Sequence, residues 1–377
     1  MKKTRILHIS TAHPAQDPRI AQKVIPSLSF QYELLAALPH VPTGKQNNVQ
    51  YLWLPKFKKL LLRILFCQPL VLWYALRYQP RLLHLYNPEL LPLARLIQLL
   101  LDIPVIYEVH ENFHKKIAGK AANQGAWAIK PFQWADKMAR RRFYLIFTEH
   151  GYLDTYTGLA KPYAVIYNFP VLSFLNPFRR AYAPNQIEPE FFYIGLISFE
   201  RAFDTLVSAL ALLKNRYPNF TVHLFGDCRI SKTELNALPG YSSIEKNLRF
   251  YGYTDQQLAL PYITNATVGL ALLKPVGDYM DSYTTKMFEY MALGIPVLTS
   301  DFPLYREVVE RHRCGLCVSP LNPIQVANAL VYLVEHPEQA KVMGERGYQA
   351  VQTDYCWQSE SEKLLNFYTC VLGKEIE

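Results

Sequence analysis

The chain has 377 residues, half of them hydrophobic, and a formal net charge of +9. That length suits two domains better than one core, and the apolar content excludes a disordered chain. Residues 1–180 hold 24 Lys/Arg against 9 Asp/Glu, whereas residues 181–377 hold 16 against 22, so the first half is expected to meet an anionic surface.

Met1-Lys-Lys-Thr-Arg runs directly into a first strand at Arg5–Ser10, with no apolar signal-peptide core, and a cytoplasmic protein is expected. Short apolar runs then alternate with helix-like segments, which predicts βαβ units and parallel sheets. Further strands are predicted at Gln50–Leu54, Leu82–Tyr86, Val105–Val109, Tyr144–Thr148 and Ala164–Tyr167. Helices are predicted at Ile20–Ser29, Phe57–Ala75, Glu89–Leu101 and Ala128–Arg142. The apolar runs Leu60–Leu76 and Leu90–Tyr107 contain Arg63 and Pro69, and Pro92, Arg95 and Asp102, so neither reads as a membrane span. The stretch 171–189, rich in Pro, Asn and aromatics, reads as a linker between domains at 1–170 and 190–356.

The second half repeats the alternation. Strands are predicted at Phe191–Ile194, Thr221–Phe225, Leu248–Tyr251, Thr267–Leu272, Ile295–Thr299 and Gly315–Val318, with helices between and a closing helix near 357–377. Six cysteines are scattered, and the Cys314–Cys317 pair, set in an apolar strand, reads as ordinary buried thiols. Two Rossmann-like domains facing across a cleft would bind ligand at the carboxyl ends of their strands.

Five stretches carry chemistry. Asp281-Ser-Tyr-Thr-Thr-Lys286-Met-Phe-Glu289 reads as a loop entering a helix. The free N–H groups of a helix start and Lys286 suit phosphate, and the Glu289 carboxylate suits sugar hydroxyls. In Tyr193-Ile-Gly195-Leu-Ile-Ser-Phe-Glu-Arg201-Ala202, Gly195 ends a strand and allows close approach, while Arg201 can grip two phosphate oxygens. Ile106-Tyr-Glu-Val-His110-Glu111 and His84-Leu-Tyr-Asn-Pro-Glu89 each end a strand in polar residues. His13-Pro-Ala-Gln-Asp17-Pro-Arg19-Ile follows the first strand, with Asp17 and Pro18 suited to open a helix.

Together these stretches resemble the retaining family-4 glycosyltransferases. Lys286-Met-Phe-Glu-Tyr-Met-Ala-Leu-Gly294 is similar to the family's Lys-Leu-Phe-Glu-Tyr-Met-Ala-x-Gly, with Asp281 in place of the first Glu of its E-x7-E pair. The opening His-Pro-x-x-Asp-x-Arg-Ile and the Tyr-x-Gly-x-Ile-x-x-x-Arg segment resemble one subgroup. Leu196, Ala202, Tyr86 and Asn87 depart from the family's Arg, Gly, His and Asp.

The resemblance implies a GT-B fold, α/β with a donor domain second and an acceptor domain first, and a closing helix packed back on the first. It implies transfer of a sugar from a nucleoside-diphosphate-sugar to a glycan or lipid-linked acceptor, with retained configuration, in polysaccharide or glycolipid synthesis. Arg201, Lys286 and the Thr284–Thr285 helix start would stabilise the departing diphosphate with no metal or cofactor. Gly195 would admit the phosphate, Glu289 would hold the ribose, and Asp281 and Ser282 the donor sugar. His110 would orient the reacting sugar, with Asp17, Arg19 and Glu111 on the acceptor side. A nucleotide-sugar epimerase or hydrolase on the same fold, or a non-catalytic binding subunit, is the alternative.

The basic stretches Lys56-Phe-Lys-Lys-Leu-Leu-Leu-Arg63, preceded by Trp53, and Lys137-Met-Ala-Arg-Arg-Arg142 fit anionic lipid. No nucleic-acid-binding motif accompanies them. A peripheral protein on the inner membrane face is expected.

Overall fold

The computed structural model describes residues 3–14, 16–46, 48–110, 130–180 and 188–373. The chain divides into two compact units, one of residues up to Asn168 together with those from Trp357 onward, the other spanning Phe169–Cys356.

The first unit holds β1 (Arg5–Ile9), β2 (Glu33–Pro39), β3 (Gly44–Gln46), β4 (Val49–Leu54), β5 (Leu82–Leu85), β6 (Val105–Val109), β7 (Tyr144–Phe147) and β8 (Tyr163–Val165). They form one sheet in the order β3-β4-β2-β1-β5-β6-β7-β8, parallel except where β3 runs against β4. Chain order reverses between β1 and β5, which places the loops after those two strands at a topological switch point. One face of the sheet packs Leu7, Leu83, Val105 and Tyr107 against Val71, Tyr74, Ala75 and Ile97 of the crossover helices. The closing helix Trp357–Val371 is tied to this unit by the Trp357 Nε1 bond to Ser27 Oγ (2.9 Å) and by Glu360, which accepts from the Tyr167 amide (2.8 Å).

Sequence reading placed no strand at Glu33–Pro39. Its Leu-Leu-Ala-Ala-Leu core favours helix intrinsically, but six of its seven residues are buried beside β1 and β4, and that burial overrides propensity. The run Leu60–Leu76 also differs from expectation. The helical stretch Leu60–Tyr78 continues through Arg63 and Pro69 and is long and apolar enough, by length and composition, to cross a membrane. Pro69 is the second residue of Gln68–Tyr78, directly after the π-helical turn Arg63–Cys67, where the helical hydrogen-bond ladder changes register. Arg63 is not a free surface cation, because its guanidinium lies 3.2 Å from the buried carboxylate of Glu89.

The second unit holds β9 (Glu190–Ile194), β10 (Thr221–Phe225), β11 (Leu248–Gly252), β12 (Ala266–Ala271), β13 (Val297–Ser300) and β14 (Gly315–Val318), all parallel. The order β11-β10-β9-β12-β13-β14 is the doubly wound arrangement, and its switch point lies between β9 and β12. The stretch 171–189, read as a linker, is built into this unit where it is described. Leu172–Leu175 is a helical turn, and Arg180 donates its amide to Leu293 O (2.9 Å) and its guanidinium to Ala266 O (2.7 Å). Cys314 is buried and free, and burial pushes its thiol up to about 12.

Candidate functional site

In the second unit the polar residues gather at the switch point. Gly195 follows β9 with φ +140°, and its amide donates to Phe225 O at the end of β10 (2.8 Å). A Cβ on Gly226 would lie 2.0 Å from Gly195 O, so only glycine lets the two strand ends approach this closely. A Cβ on Gly195 would meet Lys286 Nζ at 3.1 Å. The missing side chain at Gly195 is therefore the space beside the ammonium group.

Lys286 stands in the first turn of the helix Thr285–Ala292 and is 6% exposed. Its Nζ lies 5.3 Å from the Tyr193 ring centroid, and it makes no ion pair among the described residues. Burial first and the nearby Arg201 cation second lower its pKa to about 7, against the opposing pull of Glu289. Arg201 reaches over the Tyr279 ring at 5.4 Å, and its Nε is buried without a hydrogen-bond partner among the described residues. Thr284 precedes the helix but its side chain does not cap it, which leaves the first-turn amides of Thr285 and Lys286 without a capping side chain. Two cations and a helix start thus converge, and neither cation forms a salt bridge among the described residues, an arrangement that suits a multiply charged anion.

The supporting shell is polar and local. Ser282 Oγ donates to Asp278 O (2.9 Å), and the Tyr305 hydroxyl bonds Tyr279 O (3.2 Å) and Ser282 O (3.1 Å), which holds the loop carrying Asp281. Tyr290 locks the helix to the sheet: its hydroxyl accepts from the Ile194 amide (3.2 Å) and donates to Leu270 O (3.3 Å). Its ring fills the space over Gly269, where a Cβ would come within 2.3 Å. Glu289, the residue before Tyr290, stays half-buried on the Lys286 side.

In the first unit the centre is Glu108, a fully buried carboxylate near the end of β6. Its Oε1 accepts from Arg19 Nε (2.9 Å) and from His110 Nε2 (2.6 Å), and its Oε2 lies 3.3 Å from His84 Nε2. Burial alone would raise this carboxyl, but Arg19 and His110 outweigh it and hold it well below the usual carboxylate range. Sequence reasoning singled out His110 and missed Glu108; the available signal was one carboxylate inside the apolar run Val-Ile-Tyr-Glu-Val.

Arg19 was expected to face the acceptor. It is 4% exposed, and its remaining donors reach Tyr167 O (2.8 Å) and Ile166 O (2.9 Å), so it serves the interior of the unit. Asp17 caps the helical stretch that begins at Pro18, accepting from the amides of Arg19 (3.0 Å) and Ile20 (3.1 Å), and it pairs with His13 Nδ1 at 3.2 Å. Neither is presented as a group for binding an acceptor. Glu111 lies outside the described residues. The departures at Tyr86 and Asn87 have structural partners: Tyr86 bonds His8 Nδ1 (2.9 Å), and Asn87 Oδ1 accepts from Ser10 Oγ (2.9 Å) and the Thr11 amide (2.8 Å). His84 in turn bonds the Tyr368 hydroxyl of the closing helix, and burial keeps His8 and His84 below the usual imidazole range.

Residues 176–350, which lie within the second unit, match the family model described as glycosyl transferases group 1. Over 181 residues the chain is 22% identical to a glycogen synthase of Mycobacterium tuberculosis, a stretch that makes up 48% of this chain and 42% of that protein. The chain therefore matches less than half the length of this curated relative. Among solved structures it is similar to sucrose-phosphate synthase from Thermosynechococcus elongatus, with TM-score 0.77 and 16% identity over 98% of this chain and all of the other. It is also similar to Anabaena HepE in complex with UDP-glucose, with TM-score 0.71 and 12% identity over 98% of this chain and all of the other. The two parallel-sheet units and these likenesses give the fold class, GT-B.

Proposed function

We propose that the chain transfers a sugar from a nucleoside-diphosphate-sugar to a glycan or lipid-linked acceptor, with retention of configuration and without a metal. The observation that carries this reading is the buried Lys286 ammonium beside Gly195 and Arg201, at a helix start that no side chain caps. A departing diphosphate gains negative charge as the glycosidic bond breaks, and fixed cations in a dry site stabilise that charge without reorganising. Glu289 holds the ribose hydroxyls, and the loop with Asp281 and Ser282 holds the donor sugar. His110 is the group of the first unit assigned to the reacting sugar, through the ring nitrogen that Glu108 leaves free. The HepE complex with UDP-glucose supports a nucleoside-diphosphate-sugar as donor class. The basic first half supports an acceptor displayed on the inner face of a membrane, as in polysaccharide or glycolipid synthesis.

The test has two steps. Thermal unfolding with UDP-, GDP- and ADP-sugars should single out one nucleotide that raises the midpoint by mass action. Glu289→Ala should weaken that nucleotide by roughly 1.5–3 kcal/mol while the fold survives. Product analysis with the selected donor should then find glycosylated acceptor in the presence of EDTA. Donor turnover with no acceptor product would instead indicate an epimerase or hydrolase, and stabilisation by no nucleotide would refute the donor site.

A further inference from the structure

Along Leu60–Tyr78 the side chains divide into two stripes. Cys67, Val71, Tyr74 and Ala75 are buried, whereas Leu61, Leu65, Phe66 and Trp73 are each more than half exposed. The neighbouring helix Leu91–Leu101 repeats the division: Leu91, Ala94 and Ile97 are buried, and Leu99 and Leu100 are more than half exposed. On Lys130–Arg142, which packs beside it, Trp134 is 63% exposed. The spacing is helical on each segment, so one face serves the core and the other is apolar and uncovered. Scattered exposed leucines need no explanation, but large apolar side chains exposed on three neighbouring helices make a patch that does.

The charges around this patch are nearly all of one sign. Residues 53–102 hold seven Lys/Arg and two acids, and one of those acids, Glu89, is buried against Arg63. Lys56, Lys58 and Lys59 stand exposed at one end of the helical stretch and Arg77 at the other. Lys137, Arg141 and Arg142 are exposed on the third helix. A second copy of the same face would repel this one, because it presents cations to cations. An anionic bilayer offers both complements at once, phosphates for the rim and acyl chains for the centre.

We propose that the uncovered face of Leu60–Tyr78 and Leu91–Leu101 is a bilayer-contact surface that buries Leu61, Leu65, Phe66, Trp73, Leu99 and Leu100 among the headgroups and upper acyl chains of an anionic membrane. This deepens, and rests on, the membrane part of the function proposed above. The helix lies in the plane of the interface and does not cross it. Its inner stripe is part of the core, Gln68 Nε2 donates to Glu89 O (2.7 Å), and the Tyr74 hydroxyl donates to Trp53 O (2.9 Å). Spanning would strip those partners from the sheet. The first unit thus adds apolar insertion to electrostatic attraction, and the two respond differently to salt.

The test is vesicle sedimentation of the full chain, using phosphatidylcholine alone and phosphatidylcholine with a quarter phosphatidylglycerol. Wild type should bind the anionic vesicles with a blue shift of tryptophan emission, and part of the binding should survive about 0.5 M salt, where exposed charges are screened. Leu65→Glu with Phe66→Glu should weaken binding about 10–100-fold even at low salt. Should that variant not fold by circular dichroism, Leu99→Glu with Leu100→Glu on the neighbouring helix should give the same loss. Wild-type indifference to anionic vesicles, or variants that bind as wild type does, would overturn the proposal. So would a dimer in light scattering that the variants dissolve, since the face would then join two copies. Nucleotide stabilisation measured on the same variants should be unchanged. A failure here with nucleotide binding intact leaves the transferase reading standing, and the converse failure leaves the membrane surface standing.

Discussion

The Nε2 of His110 donates to Glu108 Oε1 at 2.6 Å, and the same oxygen accepts from Arg19 Nε at 2.9 Å. One buried carboxylate therefore fixes the imidazole plane and simultaneously joins the helical stretch after β1 to the end of β6. With Nε2 engaged, Nδ1 is the nitrogen left to meet a ligand. His13 lines the same place, its ring centroid 4.9 Å from that of His110.

Glu108 should accordingly matter to the fold more than His110 does. Glu108→Ala leaves the Arg19 guanidinium buried without its anion and should destabilise the chain by about 3–5 kcal/mol. His110→Ala keeps the Arg19–Glu108 pair and should fold normally while losing turnover. The Glu108 carboxyl is held below its ordinary value in the folded chain, so its contribution is present above the unfolded value and is lost as pH falls through the folded one. Denaturant midpoints for the two variants check this; equal, small losses would mean the carboxylate is not the hub.

How far the sequence could anticipate these features depended on the range of the interaction. The helix of Lys286 and Glu289 was legible because phosphate donors, carboxylate and closing Gly294 all lie within one short stretch. The parallel sheets were legible from alternation, except β2, where Leu and Ala carry no strand signal and neighbouring strands decide. Arg19 and Glu108 stand 89 positions apart, so nothing local announces their pairing, and Arg19 looked like a free ligand-binding group. The basic character of the first half was visible in composition. That Arg63 is neutralised by Glu89, and that the leucines of the helical stretch fall on an uncovered face, needed the fold.

Lys286 should make donor binding pH-dependent. Its folded pKa is lowered to about 7 against an ordinary 10.5, so between those values the unfolded chain holds the proton and the folded chain does not. Stability should rise with pH across that window, and below it the full cost of a buried ammonium remains. A bound diphosphate favours the ammonium, so binding should take up a proton and weaken as pH climbs above about 7. Calorimetry near pH ~8 in two buffers of different ionisation enthalpy measures that uptake. Lys286→Met should abolish it, and a wild type with no proton uptake would show that Lys286 does not meet the ligand.

Ala202 sits at φ +55°, immediately after Arg201, with its side chain fully buried. A left-handed conformation costs an L-residue about 1–2 kcal/mol, while glycine gives back roughly 0.5–1 through the greater freedom of the unfolded chain. Ala202→Gly should therefore stabilise the chain by a net ~0.5–1 kcal/mol. The left-handed backbone at this position favours glycine, a preference that this substitution isolates. Chemical denaturation is the measurement, and a clear loss of stability would show that packing of the Ala202 methyl outweighs its strain.

Arg201 and Lys286 approach closely enough that each cation disfavours the other, and the Arg201 charge contributes to the lowered pKa of Lys286. In the free protein, removing one should relieve the other; with a diphosphate bound, both should be needed. Arg201→Met and Lys286→Met should each weaken nucleotide diphosphate binding, and the double variant should depart from the sum of the two by about 0.5–3 kcal/mol. The sign is informative. If the anion bridges both groups, the second substitution should cost less than the first, because a ligand already freed from one cation is held less firmly by the other. Titration calorimetry on the four proteins of the cycle, at a pH below 7 where Lys286 is charged, measures it. Strict additivity there would mean that the two cations serve separate ligands, and the shared diphosphate would have to be abandoned.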